Sequence, residues 1–370
     1  MKKAYKYRIR PTKAQQQSLQ QFFGASRFVF NAALETKVTA YESNKTNLSY
    51  IDLCGQLKEL KNTEEFSWLK LIPSQGLQQS IKQMINAFDG FFKEKGYPKF
   101  KNKRSNKSIC TPQGVKVDFK NGKVFFPKLK WIKCHFSRTF EGKIKTCTIS
   151  QTSTGKYYIS ILVDDGKELP KKQPIKDKTT IGIDLGIKHF AITSDKEFFE
   201  NQKLLIKSLS KLRIENRSLA RKVKFSQNWY DQKLRLAKLH EKITNQRKDF
   251  LHKLSTYLVK KYDTICLESL HVKGMIKNPK LAKHIADQAW GKFVTFCKYK
   301  CDWYGKNFQQ ISQWFPSSKL CNVCDIENDE LTLAVREWTC LTCETHHDRD
   351  INAAKNIKKQ GLRLIRQSIT

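Results

Sequence analysis

The sequence predicts a small β-barrel with a helical insertion, joined to a mixed α/β domain that carries a cysteine ribbon near its C-terminus. Three observations support this. Short strand-like runs separated by turns fill residues 115–163. Beyond residue 180 the pattern alternates strand, long helices, strand, helix, strand. Two Cys-x-x-Cys pairs, Cys321/Cys324 and Cys340/Cys343, stand fifteen residues apart.

Taken in order, residues 4–9 alternate as a strand and stop at Pro11. Thr12 followed by Gln15 is a capping box, and helical patterning runs to Gly24 and on through Leu34. The clearest later helix spans 77–95, with Ile81, Met84, Ile85, Phe88 and Phe92 on one stripe. At Gly96 the chain turns into a basic loop interleaved with aromatics, and strand-like runs follow at 115–119, 123–126, 132–136, 144–150 and 157–163. A polar, Lys- and Pro-rich stretch then reads as a linker. The expected division is a barrel from 1–10 and 96–165, a helical insertion at 11–95, a linker at 164–179, an α/β domain from 180–314 and 345–370, and a ribbon at 315–344.

Lys and Arg number 70 against 34 Asp and Glu, a net charge of +36. An excess of this size calls for a polyanionic partner. It is comparable to the roughly 40 phosphates of a ~20-base-pair duplex. No apolar run approaches the ~20 residues that cross a bilayer, and the N-terminus lacks a signal-peptide core. The reading is a cytoplasmic protein whose eleven cysteines are thiols or metal ligands rather than disulfides. Cys54, Cys110, Cys134, Cys147, Cys266, Cys297 and Cys301 read as small buried hydrophobes.

Three acids have suggestive settings. In 180–186, Ile181, Ile183 and Leu185 face one way, and Asp184 faces the other between Gly182 and Gly186, which would leave its surroundings open. In 264–268, Ile265 and Leu267 face the core and Glu268 ends the opposite face. Asp350 begins a helix whose Ala353, Ala354 and Ile357 allow close packing on a sheet. Singly, these are a strand-end residue, a surface charge and a helix-start residue favoured by the dipole. Together they have the donors for two-metal phosphodiester cleavage, which needs hard oxygens converging on ions ~3.5–4 Å apart. Asp348 is a weaker candidate.

The four cysteines match a Cys₄ zinc site, with residues 331, 333 and 335 (Leu, Leu, Val) expected to form the intervening hairpin. Such a site is coordinatively closed and structural. Asp325 and Glu344 stand where glycine usually relieves the knuckle turn, and His346 and His347 are alternative ligands. Between the first two acids lies a helical hairpin, with Leu205, Leu209, Leu212, Leu219 and Val223 answered by Leu236, Leu239, Ile243, Phe250 and Leu254. Its outer faces carry Arg217, Arg221 and Arg247. These, with Lys99, Lys101, Lys103 and Arg104 beside Tyr97 and Phe100, are the expected nucleic-acid contacts.

The chain resembles the TnpB (OrfB) family of transposon-encoded RNA-guided DNA endonucleases, related to type V CRISPR effectors. The resemblance lies in residues 5–11 and 24–31, Gly96-Tyr-Pro-Lys-Phe-Lys, residues 245–252, Trp290-Gly, Tyr304-Gly, Phe315-Pro-Ser-Ser-Lys319 with its cysteines, and residues 347–357. It implies a RuvC-like (RNase H-like) nuclease fold with acids at Asp184, Glu268 and Asp350 and two Mg²⁺ ions. It also implies one structural Zn²⁺ on the four cysteines, a guide RNA from the transposon end, and double-stranded target DNA cut beside a short motif. Ser269 departs from the acidic residue common after the second acid. The working particle is expected to be a monomer. Other functions on the same residues are a nuclease-silent RNA-guided repressor and a strand-transferring DNA transposase.

Overall fold

A computed structural model describes residues 1–93, 95–332 and 335–368. The chain divides into two compact units, Met1–Glu168 and Leu169–Thr370.

In the first unit, β1 (Lys2–Arg10) leads through Pro11 into α1 (Lys13–Asn44). The capping box forms as expected, Gln15 N–H donating to Thr12 Oγ1 at 3.3 Å and Thr12 N–H to Gln15 Oε1 at 3.0 Å. The helix runs ten residues past Leu34 and stops where Lys45 turns left-handed at φ 57°. After α2 (Tyr50–Leu60) and α3 (Ser74–Phe91) come β2 (Lys107–Thr111), β3 (Lys116–Asp118), β4 (Lys123–Phe126), β5 (Lys130–His135), β6 (Lys143–Gln151) and β7 (Tyr157–Asp164). They form one antiparallel sheet in the order β2-β6-β7-β1-β5-β4-β3. Strand β2 escaped the sequence reading because its run, Lys-Ser-Ile-Cys-Thr, has one strong β-former. The order is linear: β3 has three residues and pairs with β4, and among the described residues no pairing joins it to β2 to close a barrel. Leu19, Phe22, Phe23 and Val29 of α1 and Leu77, Ile81 and Met84 of α3 share one core with Ile149, Ile159 and Ile161 of the sheet.

In the second unit, β8 (Thr180–Asp184), β9 (His189–Thr193) and β10 (Phe198–Glu200) precede a hairpin of α4 (Leu204–Ala220) and α5 (Gln227–Lys261). Then come β11 (Thr264–Glu268), α6 (Val272–Met275), α7 (Ala282–Gln288), α8 (Trp290–Trp303), β12 (Asn307–Ile311), β13 (Glu337–Thr339), β14 (His346–Asp348) and α9 (Arg349–Gln367). The main sheet runs β10-β9-β8-β11-β12, with β8, β11 and β12 parallel.

Strand alternation assigns the two faces. Ile181, Ile183, Ile265 and Leu267 pack with Leu251, Leu254 and Leu258 of α5 and Phe293 of α8. The opposite face lies under α9, where Cys266 meets Ile357. This corrects the expectation that Gly182 leaves open space beside Asp184. A Cβ there would stand 2.0 Å from Ala354 O and 2.5 Å from Lys358 N. The glycine lets a helix backbone press onto the strand. Gly361 does the same from the helix side, its would-be Cβ 2.3 Å from Cys266 Sγ.

Two further expectations change. The linker's later part is fastened: Gln173 N–H donates to Gly305 O, and Asn307 Nδ2 to Gln173 O, both at 2.8 Å. The α4 stripe ends early, since Val223 lies beyond the helix and is exposed; of its leucines, Leu212 is buried. Lys300 of α8 is buried against α5, its Nζ donating to His252 O, Ser255 Oγ and Thr256 Oγ1 at 2.7–2.8 Å.

Candidate functional site

The parallel register pairs Ile183 with Leu267, so the next residue on each strand, Asp184 and Glu268, sits side by side at the strand ends. Both side chains share the face under α9. The two carboxyls act on each other, and the Leu185 backbone N–H favours the charged form of Glu268. Desolvation, then the charges of Glu268 and Asp350, hold the Asp184 carboxyl well above the usual carboxylate range, with Arg349 opposing. Burial pushes Glu268 up as well. Two carboxylates this close cannot both ionise freely, so ionising one opposes ionising the other.

Asp350 lies in the first turn of α9. Asp348 caps that helix, its Oδ1 accepting from Asp350 N–H and Ile351 N–H at 3.0 and 2.9 Å. The weaker candidate is thus a capping residue. The Asp350 carboxylate sits 3.0 and 3.2 Å from Arg336 Nη1 and 3.4 Å from Arg349 Nη2. The structure therefore brings the three acids into one electrostatic neighbourhood, with two guanidiniums on Asp350. Arg336 was not visible in the sequence; it reaches Asp350 because β13 and β14 fold into a hairpin that pairs Glu337 with Asp348.

In the ribbon, Cys321, Cys324, Cys340 and Cys343 place their sulfurs within 4.8 Å of one another. The 3.6 Å separations of Cys321 from Cys343 and Cys324 from Cys340 approach the ~3.8 Å that tetrahedral Zn–S bonds of ~2.3 Å imply. The thiolates fit a zinc ion. Contact with the Thr345 hydroxyl, 3.3 Å from Cys343 Sγ, and with the Thr345 backbone brings the Cys343 thiol down to about 6. Asp325 and Glu344 adopt the left-handed conformation, φ 62° and 56°, that their knuckle positions demand. Asp325 pairs with Lys359 of α9 at 2.5–2.7 Å. The expected hairpin through residues 331–335 is replaced by β13–β14 across the second knuckle: Leu331 packs on the cysteines, Val335 is exposed, and Leu333 lies outside the described residues. His346 is exposed beside Glu337, whereas His347 is buried with Nε2 3.1 Å from Cys321 Sγ.

Comparison with known proteins places this geometry. The OrfB_IS605 family model ("Probable transposase") matches residues 160–279, and a model described as "Cas12f1-like, TNB domain" matches 290–357. A protein of Streptomyces pristinaespiralis provisionally named RNA-guided DNA endonuclease is 37% identical over 98% of this chain and 90% of its own. The chain belongs to the TnpB (OrfB) family. InsQ of Escherichia coli (strain K12), with the same provisional name, is 34% identical over 97% of this chain and 92% of its own. The mini-RNA-guided endonuclease CRISPR-Cas_phi3 has a similar fold, with a TM-score of 0.52 at 10% identity over 98% of this chain and 92% of that one. A "Helix-turn-helix domain" model matches residues 1–46, which in this TnpB-family chain are a strand and one continuous helix.

Of the expected nucleic-acid contacts, Lys99, Lys103, Arg104, Arg217 and Arg221 are exposed. The other two are engaged within the fold. Lys101 lies with its Nζ 3.7 Å from the centre of the Phe30 ring, and its backbone is bracketed by the Asn31 amide at 2.8 and 2.9 Å. Arg247 is ion-paired with buried Asp287, which also accepts the Leu205 N–H at 2.9 Å. Both cations hold elements together. Their spacing among other basic residues made them look like members of a phosphate-facing row. Among the described residues, no helix is long and apolar enough to cross a membrane.

Proposed function

We propose that this protein is an RNA-guided DNA endonuclease whose cutting centre is Asp184, Glu268 and Asp350. The observation that carries the reading is the parallel register that sets Asp184 beside Glu268, with Asp350, itself held by arginine, near enough for its charge to act on Asp184. Three carboxyls gathered in this way form an oxygen donor set suited to divalent cations. The three carboxylates would hold two Mg²⁺ ions, which supply an activated water and a stabilised leaving oxygen when bound. Asp348 fixes the first turn of α9 and so the bearing of Asp350, while Arg336 and Arg349 offset negative charge where a phosphate would enter.

In this reading the four cysteines hold one structural zinc, and the bound polyanions are a guide RNA and a double-stranded DNA target. Residues 1–10 and 96–165 act as a wedge-like antiparallel sheet, 11–95 as the helical insertion that helps read a flanking motif, and 180–314 with 345–370 as the RuvC-like nuclease, interrupted by the ribbon at 315–344. The protein works as a monomer in the bacterial cytoplasm. Purification with its native transcript tests this. Wild type should carry RNA and cut matched DNA in Mg²⁺, and Asp184→Ala should carry the same RNA without cutting. A preparation free of RNA, or an Asp184→Ala protein that cuts like wild type, would sink the proposal.

A further inference from the structure

The first cysteine knuckle is wired to the turn that bears Asp350. Two asparagines one turn apart on α9, Asn352 and Asn356, are buried and donate to the Leu320 carbonyl at 2.7 and 2.5 Å. A carbonyl only accepts, so Asn352 Nδ2 faces Leu320 and its Oδ1 faces the other way. That Oδ1 accepts the backbone N–H of Asn322 at 3.0 Å and its side-chain amide at 2.6 Å. The amide nitrogen of Asn322 also lies 3.4 Å from His347 Nδ1.

This orientation fixes the histidine tautomer. Nδ1 accepts from Asn322, so the ring proton sits on Nε2, which lies 3.1 Å from Cys321 Sγ. His347 aims a hydrogen rather than a lone pair at the sulfur. It is a donor to the thiolate and not a fifth ligand. The ring packs against Trp338 at 4.8 Å between centres and is 5% exposed.

We propose that His347, Asn322 and Asn352 form a hydrogen-bonded relay through which filling of the four-thiolate site positions the Asp350 carboxylate. All three are positioning residues, and the inference rests on the nuclease reading above. A filled site keeps Cys321 a thiolate in one place, which holds the His347 proton. His347 in turn orients Asn322, and Asn322 clamps Asn352, two residues from Asp350.

The test uses the full chain in its zinc-loaded form. Zinc transfer to a chromophoric chelator should be roughly 10–100-fold easier in His347→Ala. His347→Gln, which keeps an amide N–H able to reach the sulfur, should restore most of the difference. Amide exchange read by mass spectrometry should lose protection in the first turn of α9 when zinc is stripped from wild type, while β8 keeps its protection. Zinc-loaded Asn352→Ala should show the same local loss and, on matched DNA, a lower kcat with unchanged DNA affinity. The relay is overturned if His347→Ala holds zinc like wild type, if the α9 turn is equally protected with and without zinc, or if Asn352→Ala loses DNA affinity instead of kcat. Should Asn352→Ala fail to fold, the stripped wild type still decides. Zinc transfer and amide exchange need no DNA cleavage, so a chain that never cuts would defeat the nuclease reading while these two measurements still judge the relay.

Discussion

Arg336 Nη1 stands 3.0 Å from Asp350 Oδ2, so the ribbon hairpin presents a guanidinium to the third acid of the candidate centre. Any cation that binds Asp350 must compete with it. Arg336 is about half exposed, and exposed pairs contribute about 0.2–1 kcal/mol. Arg336→Ala should therefore tighten Mn²⁺ binding by no more than about fivefold, as read by calorimetry. Weaker binding in the variant would mean the arginine supports the cation site and does not compete for it.

Burial and its acidic neighbours disfavour the charged form of Asp184, an arrangement that costs folding energy. Asp184→Asn keeps the shape and removes the charge problem. It should abolish cleavage and raise stability by about 1 kcal/mol, or roughly 2–4 °C in melting temperature for a domain of this size. Differential scanning calorimetry beside a cleavage assay checks both; a destabilised variant would contradict the electrostatic account.

The cations separate into two groups by their partners. Lys103→Ala or Arg104→Ala should leave stability unchanged and reduce the slope of log K against log salt by ~0.7–0.9 for each phosphate no longer neutralised. Arg247→Ala should leave that slope alone and cost about 3 kcal/mol, because Asp287 is left buried without its partner. Filter binding across a salt series and urea denaturation distinguish these outcomes.

Burial lowers the Lys300 ammonium to about 8, from an ordinary lysine value of 10.5. Between these limits the unfolded chain binds the proton more strongly than the folded one, so this group makes stability rise with pH from about 8 to 10.5. Below pH 8 the full penalty is present. Relative to Lys300→Met, wild type should gain about 3 kcal/mol at most across that window, measured by denaturation at several pH values. A difference that stays flat would show that its three acceptors keep the ammonium at its ordinary strength.

Much of this was legible locally. The alternation of 180–186 and 264–268 gave the correct faces because strand side chains alternate regardless of what covers them, and the cysteine spacing carried its own geometry. Coverage was not legible. Nothing near Gly182 announces that α9, about 170 positions later, lies on it. Partners of long side chains were equally hidden: Arg247 and Arg221 look alike in sequence, and Asp287, forty residues on, separates them. The ribbon hairpin was misplaced because three apolar residues in alternation suggest a strand, whereas the pairing forms between the segments that flank Cys340 and Cys343.

The seam at Gly182 and Gly361 has a consequence for genetics. A screen that scores loss of activity would rank both positions beside the carboxylates, since even a methyl group there pushes the helix off its strand. Read without coordinates, such a map would assign chemistry to two residues whose contribution is to have no side chain. Spontaneous inactivation of mobile copies would then arise as readily from this packing seam as from the acids themselves.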